Sequence, residues 1–246
     1  CAALGDARKA IEFYEQRLVI AREIGDRRGE GTVLGNLGLA YADLGDARKT
    51  IEFHEQALAI DREMGDRRGE GNALGNLGNA YYSLGDVRKA IEFYGQQLVI
   101  AREIGDRRGE GNALGNLGSA HYSLGDARKA IGFCGQQLII ARETGDRRGE
   151  GQALGNLGVA YKNLGDARKA IEYHDQALVI RREIGDVRGV AADLWNSALA
   201  LEALGQRDEA IERAEAALKI FEQIEDPYAA KVRAKLEMWK GAQGGS

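Results

Sequence analysis

The chain has 246 residues and a formal net charge of −4, with 44% hydrophobic residues, 29% charged residues and 34 glycines. No run approaches the roughly 18 apolar residues of a membrane span, which excludes a transmembrane protein. The two signs of charge are interleaved and leave no basic surface for a nucleic acid. The two cysteines, Cys1 and Cys134, cannot form a disulfide framework and favour a reducing compartment, so we expect a cytoplasmic protein.

The sequence repeats with a period of 40 residues, and one fourteen-residue string occurs unchanged at 65–78 and 105–118. Such a period is typical of a stacked array of supersecondary units. In chain order we predict a truncated half-repeat, five 40-residue hairpins, a C-terminal capping helix and a flexible tail. Their ranges are 1–24, then 25–64, 65–104, 105–144, 145–184 and 185–224, then 225–240 and 241–246. Because the half-repeat opens in mid-unit, we expect the chain to be a fragment of a longer protein.

Each repeat is predicted to form two helices, as the unit 65–104 illustrates. Asp66 can cap a first helix whose apolar residues recur at spacings of three and four, the helical period. Gly85 suits the position after the end of that helix, and Asp86 can cap a second helix that ends at Gly105. Because the connection between the two helices is so short, they can form only an antiparallel αα-hairpin, and the predicted fold class is all-α.

Two sets of glycines recur at equivalent positions of the first helices, and we call such a set a column. The Gly38 column consists of Gly38, Gly78, Gly118 and Gly158, with Ala198 in the last hairpin. Because a small residue lets two helix axes approach closely, this column predicts a close helix–helix contact. The Gly35 column consists of Gly35, Gly75, Gly115 and Gly155, followed by Trp195. A column that accepts both no side chain and the largest one is predicted to face open space.

The unit resembles the tetratricopeptide repeat. The residues that carry the resemblance are Leu74, Leu77-Gly78, Tyr81, Ala90 and Tyr94, together with Ala57 in another unit. The units are six residues longer than the common 34-residue form and lack its usual proline. In this they resemble the long-repeat subgroup of Partner-of-Inscuteable-type adaptors and kinesin light chains, and the sensor arrays of bacterial signalling NTPases. The resemblance implies a right-handed superhelical solenoid of tandem hairpins whose first helices line a groove for a protein partner.

Side chains with catalytic or metal-binding chemistry are few. His54, His174 and Cys134 stand in a column otherwise held mainly by tyrosine, and His121 replaces a tyrosine elsewhere, so all four are predicted to be packing residues. No two of them have metal-ligand spacing, and we expect neither a metal nor another cofactor. The glycine-rich segment 69–75 lacks the Gly-Lys-Ser/Thr of a phosphate loop and follows a helix. We therefore predict that the protein is not an enzyme.

Pairs of arginines recur at the joints between repeats. They are Arg27-Arg28, Arg67-Arg68, Arg107-Arg108 and Arg147-Arg148. Two interpretations remain open: a ridge that binds anions, or solvated charges balanced by nearby Asp and Glu. The second is favoured.

An asparagine stands at the same place in every first helix. This asparagine column consists of Asn36, Asn76, Asn116, Asn156 and Asn196. Asparagine is a mediocre helix former, so five in register require a reason. One interpretation is a hydrogen bond from each side chain to a neighbouring helix. The other is a ladder along a concave surface, because a carboxamide has both a donor and an acceptor and can pair with the backbone of an extended peptide.

Residues three and four positions from the asparagine column share its helix face. Several of these positions differ between repeats, which indicates either side-chain pockets beside a constant backbone reader or drift on a solvent face. The further candidate peptide-binding residues are Asn72, Asn112, Asn79, Tyr82, Tyr122, Lys162 and Trp195. The three aromatic members are predicted to be hydrophobic anchors.

We therefore predict a non-enzymatic scaffold that binds an extended peptide or partner segment in its concave groove, with no nucleic acid and no membrane among its partners. Two alternatives remain open: a sensor or autoinhibitory arm of a larger signalling protein of the STAND NTPase type, and a consensus-like engineered array without a natural ligand. The half-repeat also carries more apolar groups than the next hairpin can cover, which predicts weak self-association through the N-terminal end. Those groups are Ala10, Ile11, Phe13, Tyr14, Leu18 and Ile20.

Overall fold

The computed structural model describes residues 2–241, with the side chains from Ala7 onward, and these residues form twelve α-helices and no strand. The helices are α1 (Ala2–Glu23), α2 (Arg27–Asp43), α3 (Ala47–Met64), α4 (Arg67–Ser83), α5 (Val87–Glu103), α6 (Arg107–Ser123), α7 (Ala127–Thr144), α8 (Arg147–Asn163), α9 (Ala167–Glu183), α10 (Val187–Ala203), α11 (Arg207–Gln223) and α12 (Tyr228–Gly241). The predicted all-α class is confirmed. Cys1 and the predicted tail after Gly241 lie outside the described residues.

Most helix breaks are made by a glycine and an aspartate, as the repeat pattern predicts. At the start of α4 the Asp66 side chain accepts a hydrogen bond of 2.9 Å from the backbone N–H of Gly69, a donor that the helix itself leaves free. Gly65, just before it, has a φ of +67°. This left-handed conformation costs roughly 1–2 kcal/mol in a residue with a β-carbon. Glu225, with a φ of +53°, is the one described non-glycine residue that adopts a positive φ.

Helix α1 departs from the pattern, because it continues through Gly5 and Asp6, where the repeat predicts a break. In the complete hairpins the break lets a first helix pack antiparallel to the second. In α1 the helical backbone instead continues across the position of this joint.

The chain divides into two compact units, Cys1–Leu124 and Gly125–Ser246. In the first unit consecutive helices from α1 to α6 pack against one another, and one cluster of buried apolar side chains joins α1, α2 and α3 while another joins α3, α4 and α5. Val33 and Leu37 of α2 lie at the centre of the larger cluster and are fully buried. The rings of Tyr41 and Phe53 stack across one hairpin, with their centroids 5.3 Å apart. The hairpins are thus held together by the apolar stripes that the sequence pattern identifies.

In the second unit consecutive helices from α7 to α12 pack in the same way. Its largest core cluster joins Trp195 of α10 to Val232 and Trp239 of α12, so the final helix covers the last hairpin. Cys134 is fully buried in a smaller cluster, and burial raises the pKa of its thiol to about 12. The prediction that this cysteine is a packing residue is confirmed.

The close contact predicted at the Gly38 column is present in both units. The glycines and the rings that cover them are Gly38 with His54, Gly78 with Tyr94 and Gly158 with His174. A β-carbon at Gly38 would lie 2.6 Å from Nε2 of His54, well inside van der Waals contact. In the last hairpin both residues are small, because Ala198 and Ala214 lie in the same core cluster. The absent side chain therefore makes room for a ring from the second helix.

The arginines at the joints are balanced by carboxylates. Arg27 Nη1 lies 2.6 Å from Oε2 of the buried Glu30, and Nε of Arg22 lies 2.8 Å from the other carboxylate oxygen. The hydrogen bond from Arg22 is the main reason that the pKa of Glu30 is below its usual range. The same bridge recurs around Glu70, Glu110 and Glu150. The interpretation as balanced charge is confirmed for the first arginine of each pair.

Candidate functional site

The asparagine column lies on α2, α4, α6, α8 and α10, and its five side chains are half-buried. None of the five makes a side-chain hydrogen bond within the described part of the chain, so a bond to a neighbouring helix is not observed there. The Nδ2 group of Asn156 is even buried without a partner. A buried donor in this state costs about 1–3 kcal/mol.

Two members of the column line one cavity in the first unit. Asn36 and Asn76 face a cavity of 230 Å³ above Gly35, which we call the Gly35 cavity. Its wall is built from α2, α3, α4 and the turn before α4. The polar side chains in that wall include Asn36, His54, Asp61, Asp66, Asn72 and Asn76. A β-carbon at Gly35 would meet no atom within 4 Å, so the predicted open space is present at this glycine.

His54 and Asp61 are unusual members of the wall. His54 is 1% exposed, yet neither of its ring nitrogens has a hydrogen-bond partner. Burial lowers the pKa of His54 to about 4, so the ring is neutral at pH 7. Burial raises the pKa of Asp61 to about 6, and the charges of Asp66 and Glu70 add to the increase. Asp61 forms no ion pair with any described residue, which leaves its carboxylate uncompensated at pH 7.

Two other glycines of the Gly35 column are covered, so the prediction of open space is wrong for them. A β-carbon at Gly75 would lie 2.6 Å from Nε2 of Gln97. A β-carbon at Gly155 would lie 3.0 Å from Nη2 of Arg181. In both cases a polar side chain of the second helix extends over the first helix, which the glycine column alone does not reveal.

Sequence reasoning missed the buried charged cluster that contains Arg181. Asp193 Oδ1 lies 2.9 Å from Nδ1 of His174, and Asp193 Oδ2 lies 2.7 Å from Nε of Arg181. Arg181 also donates a hydrogen bond of 2.7 Å to Asp186. The signal was available, because Asp193 stands in a column of valine and alanine and Arg181 in one held mostly by alanine. A charged residue in an otherwise apolar column indicates a partner elsewhere.

The remaining candidates of the first unit lie near the same face. Asn79 accepts a hydrogen bond of 2.8 Å from the hydroxyl of Tyr94, which orients its carboxamide. The hydroxyls of Tyr82 and Ser123 are 2.7 Å apart. Asn79 and Asn76 line a second cavity, of 190 Å³, that shares His54 with the first. Exposed or half-buried positions are also held by Asn112 and Tyr122.

The candidates of the second unit are less open. Trp195 is 3% exposed because its ring packs against Trp239 of the final helix, with the ring centroids 6.0 Å apart. The prediction that Trp195 is an open hydrophobic anchor is therefore wrong. Lys162 is half-buried, and burial, with a contribution from the charge of Lys231, lowers its pKa. Asn196 lines a small cavity of 110 Å³ beside Trp195.

Residues 2–241 contain no helix with both the length and the apolar character that crossing a bilayer requires. Among the described side chains, from Ala7 to Gly241, no three His, Cys, Asp or Glu residues are grouped in a way that could hold a metal ion.

The solved structures that are similar to this chain include the three described below, whereas no curated protein matches its sequence. BtubC (BKLC) from P. vanneervenii has a TM-score of 0.78 and 22% identity, and the match covers 89% of this chain and 92% of that one. A putative kinesin light chain with nearly identical TPR-like repeats from Podosopora anserina has a TM-score of 0.65 and 22% identity, covering 78% and 94%. PH0952 from Pyrococcus horikoshii, a STAND protein with a tetratricopeptide repeat sensor, has a TM-score of 0.79 and 20% identity, covering 98% and 39%.

The family model described as tetratricopeptide repeat matches residues 1–63, 69–134 and 149–223, most of the chain. This match agrees with the paired helices, the Gly-Asp joints and the ring–glycine contacts of both units. The chain belongs to the tetratricopeptide repeat family.

Proposed function

We propose that the protein is a scaffold that binds an extended segment of a protein partner along the asparagine column of its first helices. Tetratricopeptide repeats generally mediate protein–protein interactions, and their fold is typically a non-catalytic scaffold. The observation that carries the proposal is the set of half-buried carboxamides, one per hairpin, that make no hydrogen bonds with the described residues.

The chemistry of the carboxamide explains why such a column suits a peptide backbone. Each side chain can donate to a backbone C=O and accept from a backbone N–H, whatever side chains the peptide carries. Half-burial makes each bond worth more than it would be in bulk water, because the effective dielectric constant is lower. The cavities beside Asn36 and Asn76 would then receive side chains of the peptide.

The test begins with peptides selected by display against the intact chain. The affinity of a selected peptide is measured by calorimetry for the parent and for the variant Asn36→Ala/Asn76→Ala/Asn116→Ala, whose three changes all lie in the first unit. Each lost hydrogen bond is worth roughly 0.5–1.5 kcal/mol, so the loss of three should lower the affinity by about 10- to 2,000-fold. The matched control removes three exposed carboxamides from second helices. It is Gln16→Ala/Gln96→Ala/Gln176→Ala and should bind like the parent.

Circular dichroism of both variants separates binding from folding. A triple asparagine variant that melts well below the parent would assign the column a structural role. An asparagine variant that keeps both its fold and its full affinity would also contradict the proposal.

We also propose that the N-terminal end associates weakly with a second copy of the chain. Phe13 is 70% exposed, whereas its equivalent Phe53 stacks on Tyr41. Ile20 on the same helix is 55% exposed, and Leu18 is already covered by the core. Exposed apolar area favours burial by about 25 cal/mol per Å², which provides the driving force.

Sedimentation across a wide concentration range tests this self-association. The variant Phe13→Gln/Ile20→Gln should remain monomeric at concentrations where the parent associates. The control Met238→Gln changes a side chain that is 67% exposed near the other end and should behave like the parent. A parent that stays monomeric at high concentration would contradict the idea.

A further inference from the structure

We propose that the Gly35 cavity binds the guanidinium group of an arginine side chain supplied by the protein partner. The inference rests on the proposed function, because Asn36 and Asn76 line this cavity and would hold the peptide backbone beside it. It adds the chemistry of one peptide side chain and the position at which that side chain is read.

In the second unit the space equivalent to the Gly35 cavity is already filled by a guanidinium. Arg181 Nη2 covers Gly155, the counterpart of Gly35, at 3.0 Å from where a β-carbon would stand. The same guanidinium is held by Asp186 and Asp193, each at 2.7 Å. The fold therefore accommodates a guanidinium over a glycine of this column when carboxylates are present to receive it.

The first unit keeps one of the two carboxylates, with Asp66 in the place of Asp186, but lacks the cation. Asp61 stands in the column of Arg181, so an acid replaces the internal base, and Ala73 stands where the second unit has Asp193. Nothing in the described chain neutralises Asp61. The nearby arginines are engaged, since Arg62 and Arg67 both bind Glu70. The site is built for a positive charge that comes from outside.

The wall of the Gly35 cavity offers several hydrogen-bond acceptors. His54 is fully buried against Gly38, and its neutral ring brings no positive charge to the wall at pH 7 that would compete with a cation. The carboxamide oxygens of Asn36 and Asn76 and the carboxylate of Asp61 provide acceptors from three helices. A guanidinium carries five donors in a plane and matches acceptors spread in this way, whereas an ammonium is a compact, strongly hydrated point charge.

The size of the cavity agrees with a side chain rather than a whole ligand. Pockets for drug-sized molecules have volumes of about 300–1,000 Å³, and the Gly35 cavity has 230 Å³. In the next repeat Gln97 fills the equivalent space over Gly75. A bound peptide would thus place its arginine at one repeat of the first unit, which would fix its register along the asparagine column.

The test uses the intact chain and two probe peptides, acetyl-Ala-Ala-Arg-Ala-Ala-amide and the same peptide with citrulline, which has the shape of arginine without its charge. Binding is followed by NMR of the imidazole of His54. The arginine probe should shift the His54 signals and bind at least tenfold more tightly than the citrulline probe, because hydrogen bonds to charged groups are stronger than those between neutral groups. Asp61→Asn should reduce the affinity for arginine to that for citrulline.

Two further variants separate loss of the site from loss of the fold. Asp61→Arg/Ala73→Asp copies the cluster of the second unit into the first and should fill the cavity, so that the variant melts no lower than the parent but no longer binds the arginine probe. Gln97→Ala opens space over Gly75 without adding an acid and should leave arginine binding unchanged.

Equal binding of the two probes, or full affinity in Asp61→Asn, would overturn the assignment. If display-selected peptides then still depended on the asparagine column, the proposed function would stand and only the arginine pocket would be rejected. If the selected peptides lost affinity in Asp61→Asn as well as in the asparagine variant, both proposals would gain support.

Discussion

Gly35 and Gly38 of α2 allow a matched test of how the side chains of a neighbouring helix determine the free-energy cost of adding one methyl group. Gly35 and Gly38 lie three residues apart on the same helix, so Gly→Ala at either position changes the helix propensity by the same amount. That change alone should stabilise the protein by about 0.5–1 kcal/mol. Over Gly35 a β-carbon would meet nothing within 4 Å, so Gly35→Ala should show the full gain.

The same substitution at Gly38 meets the imidazole of His54. The new β-carbon would lie 2.6–2.8 Å from three ring atoms, where ordinary carbon contacts are about 3.5–4.0 Å. The ring or the helix must therefore move by about 1 Å, and overpacking of this kind costs roughly 1–3 kcal/mol. After the propensity gain, Gly38→Ala should be destabilised by about 0–2 kcal/mol, and the two variants should differ by about 1–3 kcal/mol.

Amide hydrogen exchange of α2 is the suitable assay, because repeat arrays open locally and do not unfold as one unit. Urea denaturation followed by circular dichroism provides the comparison for the whole chain. The double variant Gly38→Ala/His54→Ala removes the ring and should recover the loss due to the methyl group, a coupling of about 1–3 kcal/mol. The last hairpin already carries this combination as Ala198 and Ala214.

Equal stability of Gly38→Ala and Gly35→Ala would refute a clash with His54. An unchanged loss of stability at Gly38 after removal of the His54 ring would also refute it, since the clash would then have another source.

Two further predictions concern pH and backbone strain. The pKa of His54 is about 4 in the folded state and 6.5 in the unfolded chain, so at this residue the unfolded state binds more protons between these values. The contribution of His54 to stability is therefore complete above pH 6.5 and is lost as the pH drops towards 4, whereas Asp61, whose pKa is raised to about 6, acts in the opposite direction in both the parent and the His54 variant. At about 1.4 kcal/mol per pKa unit the loss approaches 3 kcal/mol, and denaturation of His54→Tyr at pH 7 and pH 4.5 should show a correspondingly smaller decline than the parent. Glu225 occupies a left-handed position that glycine holds in the preceding repeats, so Glu225→Gly should raise the melting temperature, by relief of about 1 kcal/mol of strain. An unchanged pH dependence in the first case, or a lower melting temperature in the second, would contradict the argument.

Local sequence signals account for the helices and their joints. The Gly-Asp joints are encoded where they occur, because a left-handed glycine and a capping aspartate act within one turn of the chain. The apolar spacing then specifies which face of each helix is buried. Helix α1 shows the limit of such signals, because Gly5-Asp6 is a joint in the repeat pattern but lies within a continuous helix.

The candidate site was predictable only in part. The asparagine column and its neighbours could be found from the sequence, because positions three and four apart share a helix face. The side chains that cover this face could not be predicted, because they come from a different helix. Trp195 is closed off by Trp239, which follows it by more than forty residues.

The amino-acid sequence by itself determined the all-α class, the hairpin repeat, the family and the small residue at Gly38, since each of these follows from a pattern within one repeat. Only the tertiary structure decided what lies over the Gly35 column. The space holds Gln97 at Gly75, Arg181 at Gly155 and no atom at Gly35. The physical reason is that a glycine in the sequence indicates only that a side chain is absent. The group that fills the space is determined by which side chain of the second helix reaches it after the helices pack.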